Sequence, residues 1–155
     1  MENFENLKSK IEPIFNSLRI SYELLKLEDN DLNYSIRLQM GGKLKQLNSI
    51  PCVLYFHIHK PVMSLLVGNI YKVGTNENLL LLYEIINNMN SKIINGNFIL
   101  LNDKEKQIFY RSSVDCGKDY SQLSPELIKM QLNIFIQALE ELLDSLKSME
   151  RKRKS

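Results

Sequence analysis

The chain has no tryptophan and, among 155 residues, only two histidines, two cysteines and four prolines. Cys52 and Cys116 form no CxxC pair, so neither a zinc knuckle nor a thioredoxin-like motif can be built. Two lone cysteines in a cytosolic chain read as reduced packing residues. Cys52 opens an apolar run and suits that role; Cys116 lies in a polar turn and is expected to be the more exposed. No apolar run approaches the roughly 18 residues needed to cross a bilayer; Leu79–Tyr83 is far shorter. Met1–Asn6 is acidic and lacks an apolar stretch, so no signal peptide is read, and the expected location is cytoplasmic. GxxxxGK[ST], GxGxxG and GxSxG are all missing. The acids are scattered or sit in pairs such as Glu140-Glu141, with no apolar setting that would raise a pKa for general acid work. The expectation is a protein that is not an enzyme and that needs no cofactor.

What is present is an ordinary globular composition, 44% hydrophobic and 25% charged, enough to bury a core within one domain. Lys plus Arg is 20 and Asp plus Glu is 18, a formal charge of +2. Arg151-Lys152-Arg153-Lys154 supplies four of those cations, which leaves residues 1–150 mildly acidic and 151–155 as a basic tail. Four adjacent cations could contact nucleic acid or anionic lipid, or could simply be solvated while favouring the negative end of the preceding helix dipole. A protein that reads nucleic acid carries basic residues on its folded body as well. Nucleic acid is therefore not the expected partner, and no membrane insertion is expected.

Phe4, Leu7, Ile11, Ile14 and Leu18 step by three or four, the signature of one helix face. Pro13 within it predicts a kink, or a helix in two pieces. From Ile20 the period becomes two. Ile20–Leu27 reads as a strand with Tyr22 and Leu24 inward, and Glu28–Asp31 as a turn. Leu32, Tyr34, Ile36, Leu38 and Met40 then alternate with polar residues, as a half-buried strand does. Gly41-Gly42 signals a tight hairpin. Lys43–Leu47 and Cys52–His59 follow as one interrupted strand or two pieces, with Pro51 at an edge or bulge because it lacks a donor. Val62–Tyr71 is the next strand, with Gly68 a weak spot. The short connections predict an antiparallel meander.

Thr75-Asn76-Glu77 reads as the start of a helix carrying Leu79, Leu82, Ile86, Met89 and Ile93, ended by Asn95-Gly96. Asn97–Leu101 and Lys106–Ser113 form a second hairpin around Asn102–Glu105. Ser124-Pro125-Glu126 opens the last helix, predicted from Pro125 to about Met149. One face of it carries Leu132, Phe135, Leu139, Leu142, Leu146 and Met149. A second carries Leu127, Met130, Ile134 and Ala138. A helix apolar around so much of its girth is covered on more than one side. The reading is an α+β domain with an antiparallel sheet and helices packed on it, in the order α-β-β-β(-β)-α-β-β-α.

The stretch Leu82-Tyr83-Glu84-Ile85-Ile86-Asn87 with Asn90, then Gly96-Asn97-Phe98, then Ile108-Phe109-Tyr110-Arg111, resembles the YbjN-like family. That family shares the type III secretion chaperone-like fold. The resemblance implies the same sheet-and-helix architecture and often a dimer. Secretion chaperones of this fold bind extended segments of other proteins, and some YbjN-like proteins are described as regulators. Asn87 and Asn90 read as structural, satisfying backbone groups near a helix C-terminus.

These readings lead to a non-enzymatic protein-binding module, chaperone-like or adaptor, with a homodimer and a protein client as expected partners. Its contact residues would be Leu127, Met130, Ile134 and Ala138. The alternative is a regulator touching nucleic acid or membrane through Arg151–Lys154. His57 and His59, two apart in a predicted strand, would face one way and could offer two metal ligands. No third ligand lies nearby and Lys60 follows, so strand-end histidines on the wetter face are the competing reading and no metal is assigned. Tyr55, Phe56, Phe98, Phe109 and Tyr110 fall in strands, where alternation makes them core residues before it makes them a base-stacking platform.

Overall fold

In the computed structural model, residues 4–25, 31–39, 49–74, 78–93, 95–102 and 106–154 are described. The readings of Glu28–Asp29–Asn30, Met40, Gly41-Gly42, Lys43–Leu47, Thr75-Asn76-Glu77 and 103–105 lie outside them. The elements run α1 (Phe4–Ser17), β1 (Ser21–Leu24), β2 (Asp31–Gln39), β3 (Ser49–His57), β4 (Val62–Lys72), α2 (Leu79–Lys92), β5 (Asn97–Asn102), β6 (Lys106–Asp115) and α3 (Pro125–Lys154). A short 3-10 turn, Lys118–Tyr120, precedes α3. The α+β reading and its element order hold, with four strands before the middle helix.

Helix α1 is one continuous 14-residue helix with Pro13 inside it, so it is not in two pieces. Leu7, Ile11 and Phe15 are fully buried on one face, and this shared anchorage on the sheet holds both halves across the missing proline donor. The helix ends where Arg19 takes a left-handed φ of 57°. Ile20 N–H then donates to Phe15 O and Arg19 N–H to Asn16 O, the paired bonds that close a helix C-terminus.

The alternating residues of β2 behave as their period demands. Leu32, Tyr34, Ile36 and Leu38 are buried, and Arg37 and Gln39 are exposed. β2 pairs with β3 over its whole length, Asp31 opposite His57 through Gln39 opposite Ser49. Cys52, Leu54 and Phe56 therefore join the same inner face, as do Met63, Leu65 and Val67 of β4. Pro51 sits in an interior strand, opposite Arg37. The β3–β4 register covers only Val53–Phe56 with Met63–Leu66, so Pro51 lies beyond the end of that ladder, where its missing donor breaks no described pairing.

The strand order is β1-β2-β3-β4-β6-β5. β4 and β5 are both antiparallel to β6, hence parallel to each other, and α2 carries the chain from one to the other over the gap that β6 fills. This is a split βαβ unit; the antiparallel meander expected for the first four strands holds, as does the second hairpin. Helix α2 starts at Leu79 with Asn78 as its cap, the Asn78 side chain accepting from Leu81 N–H at 3.2 Å. Helix α3 runs five residues past the predicted end, to Lys154. Its stripe Leu132, Phe135, Leu139, Leu142, Leu146 and Met149 is buried as predicted, together with Ile128.

Aromatic side chains knit the inner face. Phe15 meets Tyr22 and Tyr34 with ring centroids 5.1 Å from each, and Tyr110 meets Phe135 at 4.8 Å. The hydroxyls of Tyr34 and Tyr22 donate to the two carboxylate oxygens of Glu12 at 2.9 and 3.4 Å, tying α1 to the sheet. Burial, then the bond to Glu12, holds the Tyr34 phenol well above the usual tyrosine range.

Candidate functional site

α2 and α3 carry all three large hydrophobic side chains that stand clearly exposed among the described residues: Leu80 at 70%, Met130 at 49% and Tyr83 at 41%. The spacing that buries Leu82, Ile86 and Met89 of α2 forces Leu80 and Tyr83 to the opposite side. The same geometry on α3 puts Met130 outward while Ile128 and Leu132 go in.

Between the end of α2 and the middle of α3 lies a cleft of about 130 Å³. Ile93, Ile134 and Ala138 give it apolar walls, and Lys92, Gln137 and Glu141 stand around them. The four predicted contact residues divide across this region. Met130 is exposed, Leu127 and Ile134 are half-buried, and Ala138 at 7% belongs to the core. Leu127 also packs against the core. Ile134 and Ala138 meet in the cleft, while Leu127 and Met130 are not part of its lining. Sequence reasoning missed Lys92 and Ile93, whose place beside α3 depends on the path of α2 across the sheet.

His57 ends β3, and its Nδ1 lies 2.7 Å from Asp31 Oδ1. His59 lies past the strand end, where alternation no longer fixes its direction. Among the described residues no group of three or more His, Cys, Asp or Glu is placed to hold a metal ion. The turn after β6 is instead a packed structure. The Tyr120 hydroxyl reaches the carbonyls of His57, Lys60 and Val62.

Cys116 corrects its expected exposure: it is fully buried. Its N–H donates to Pro61 O and its carbonyl accepts from Gln122 N–H, each at 2.7 Å, which draws the polar turn over the side chain. Burial pushes the Cys116 thiol up to about 11 and the Cys52 thiol up to about 12, from an ordinary 9.0. Both are neutral, shielded thiols at pH 8, and a disulfide-exchange reagent is expected to titrate neither until the protein unfolds; prompt reaction of one thiol in the native protein contradicts this. A raised pKa favours the folded state while the thiol is protonated, so the contribution is complete below about pH 9 and fades as pH climbs through 11 to 12.

Asn90 and Asn87, read together as structural, separate in the structure. Asn87 is exposed. Asn90 reaches from α2 to β5, where its Nδ2 donates to Phe98 O at 2.9 Å and its Oδ1 accepts from Phe98 N–H at 2.7 Å. One side-chain amide thus stands in for a neighbouring strand on the outer edge of the sheet.

The six-stranded order, the split βαβ unit and the long final helix can be compared with solved structures. A crystal structure titled "YbjN, a putative transcription regulator from E. coli" superposes with a TM-score of 0.57, over 96% of this chain and 94% of that one. The chain has the fold of YbjN. Sequence identity with YbjN is 8%, so the likeness with YbjN is one of architecture. No family model matches the sequence. No curated protein matches it either. Among the described residues no helix is long and apolar enough to cross a membrane.

Proposed function

We propose that this chain is a non-enzymatic protein-binding module, chaperone-like or adaptor, and that α2 and α3 present its docking surface. The observation that carries the reading is that the three clearly exposed large hydrophobic side chains among the described residues stand on those two helices, which also form a cleft with apolar walls and charged residues at Lys92 and Glu141. Burial of apolar area drives such association, and surrounding polar groups set its register. A second copy of the chain is one candidate occupant, which makes a homodimer part of the proposal; a protein client is the other. The YbjN fold adds a solved neighbour that is not named as an enzyme.

A second reading has its own observation. α3 continues as helix through Lys154, so Arg151–Lys154 extends its C-terminal end, and YbjN is called a putative transcription regulator. On this reading the tail contacts nucleic acid or an anionic membrane.

One experiment separates the two. The tagged protein is used for capture from its source cells at low and high salt, alongside an Ile134→Asp variant and a variant lacking residues 151–155. A dominant protein partner held at high salt and lost from Ile134→Asp, with circular dichroism unchanged, supports the docking surface. Nucleic acid or lipid captured only at low salt, and lost with the tail, supports the second reading. If Ile134→Asp changes neither capture nor oligomeric state, the helix surface is wrong.

A further inference from the structure

β3 and β4 separate before either strand ends. Continuing their register past Val53 and Leu66 would set Pro51 opposite Gly68, but Pro51 has no N–H to give and the described ladder stops short of it. β4 also breaks register against β6 between Val67 and Tyr71, and such a bulge bends its strand away from its neighbours. A Cβ on Gly68 would meet the Phe109 ring at 2.9 Å, so that ring already fills the space beside the glycine. The residue types that interrupt pairing therefore coincide at one place, and they leave a slot.

The slot holds about 260 Å³, with Ile50, Pro51, Gly68 and Ile70 at the strands and Leu139 and Leu143 of α3 beside them. Among the described residues of the lining, Ser49 is the only polar one and none is charged. A cavity of about 150 Å³ with walls of this kind already admits benzene. This one has room for a larger ring or a medium-length alkyl chain, and is smaller than the usual drug-sized site. Arg37 stands at Ser49, its Nη1 donating to Ser49 Oγ at 3.3 Å, and is otherwise exposed. Through that bond to a lining residue it is a described cation within reach of an anionic head group.

We infer that the slot between β3 and β4 binds a small amphiphile, a medium-chain carboxylic acid, with the alkyl tail against Ile50, Ile70, Leu139 and Leu143 and the carboxylate at Arg37. The apolar walls supply affinity and the single guanidinium supplies orientation. This site is separate from the docking surface on the helices, and neither depends on the other.

The test uses the full chain and N-phenyl-1-naphthylamine, a neutral fluorophore, displaced by decanoate or decanol below their aggregation limits. The expected result is saturable binding of one fluorophore per chain. Decanoate displaces it at several-fold lower concentration than decanol, and Arg37→Gln removes that difference. Leu143→Trp, which fills the slot, abolishes the signal. Methyl NMR of the unaltered protein gives a second readout that needs no variant to fold. Decanoate is expected to shift Ile50, Ile70, Leu139 and Leu143 and to leave Leu7 and Ile11 in place. Absence of saturable binding, or shifts centred away from these four methyl-bearing residues, overturns the site. Equal displacement by decanoate and decanol overturns the role of Arg37 and the carboxylic-acid assignment.

Discussion

Replacing Asn90 with alanine is expected to cost about 2–3 kcal/mol of stability and to make the protein self-associate. β5 is the last strand of the sheet, and its sequence Asn97-Phe98-Ile99-Leu100-Leu101-Asn102 contains no charge and no proline. Such an edge invites pairing with another chain unless something blunts it. Phe98 faces Tyr110 across the β5–β6 ladder, yet both its N–H and its carbonyl bond to the Asn90 amide. In an antiparallel pair the alternate residues turn these groups away from the partner strand, so Asn90 occupies the place where an added strand would begin. The alanine variant leaves both groups unpaired in a half-buried setting, at about 1–3 kcal/mol, and offers them to a neighbour. Denaturant unfolding reads the stability loss, and light scattering across a concentration series reads the association. An Asn90→Asp carboxylate can still accept from Phe98 N–H but repels Phe98 O, so it is expected to fall between. A monomeric alanine variant of unchanged stability contradicts the edge-blocking role.

Gly96→Ala is expected to be the most damaging alanine replacement among Gly68, Gly96 and Gly117. Gly96 has a φ of 119°, a region that side chains disfavour. The new Cβ would lie 2.3 Å from the Tyr110 hydroxyl and 2.7 Å from its ring carbon Cζ. Tyr110 cannot step aside: it is fully buried, packs against Phe98 and Phe135, and donates its hydroxyl to Asn95 O at 3.1 Å. Backbone strain of about 1–3 kcal/mol adds to overpacking of about 1–3 kcal/mol. For a chain of this size that total lowers the melting temperature by roughly 5–20 °C. The double variant Gly96→Ala with Tyr110→Phe removes the atom in closest conflict and is expected to recover part of the loss. A Gly96→Ala protein that melts with the parent shows that the α2–β5 connection does not depend on this glycine.

Both variants concern residues that stood out in the sequence, Asn90 and Gly96 in the stretch that resembles YbjN-like proteins. Their physical roles were not legible there. The asparagine was expected to serve its own helix end; it serves a strand eight residues on, which only the placement of α2 beside β5 reveals. Local periodicity did disclose β2, the buried stripe of α3 and the order of elements, because those follow from which residues face the core. It could not disclose that β6 pairs with β4 and pushes β5 to the edge, since no short-range signal encodes a pairing between distant strands. The second apolar face of α3 shows the same limit. Its spacing is plain in Leu127, Met130, Ile134 and Ala138, but which of them is covered depends on where α2 ends. Ala138 went to the core, Met130 to solvent, and Ile134 to the cleft between. Cys116 was misjudged for a related reason: its polar neighbours in sequence are not its neighbours in space.

The docking surface on α2 and α3 is tested most directly by amide hydrogen exchange of the chain, free and in complex with the partner it retains at high salt. The account predicts slowed exchange at the end of α2 around Lys92 and Ile93 and along α3 from Met130 to Glu141, with α1 and β1 unchanged. Protection confined to the sheet, with α2 and α3 exchanging as they do in the free protein, would contradict it.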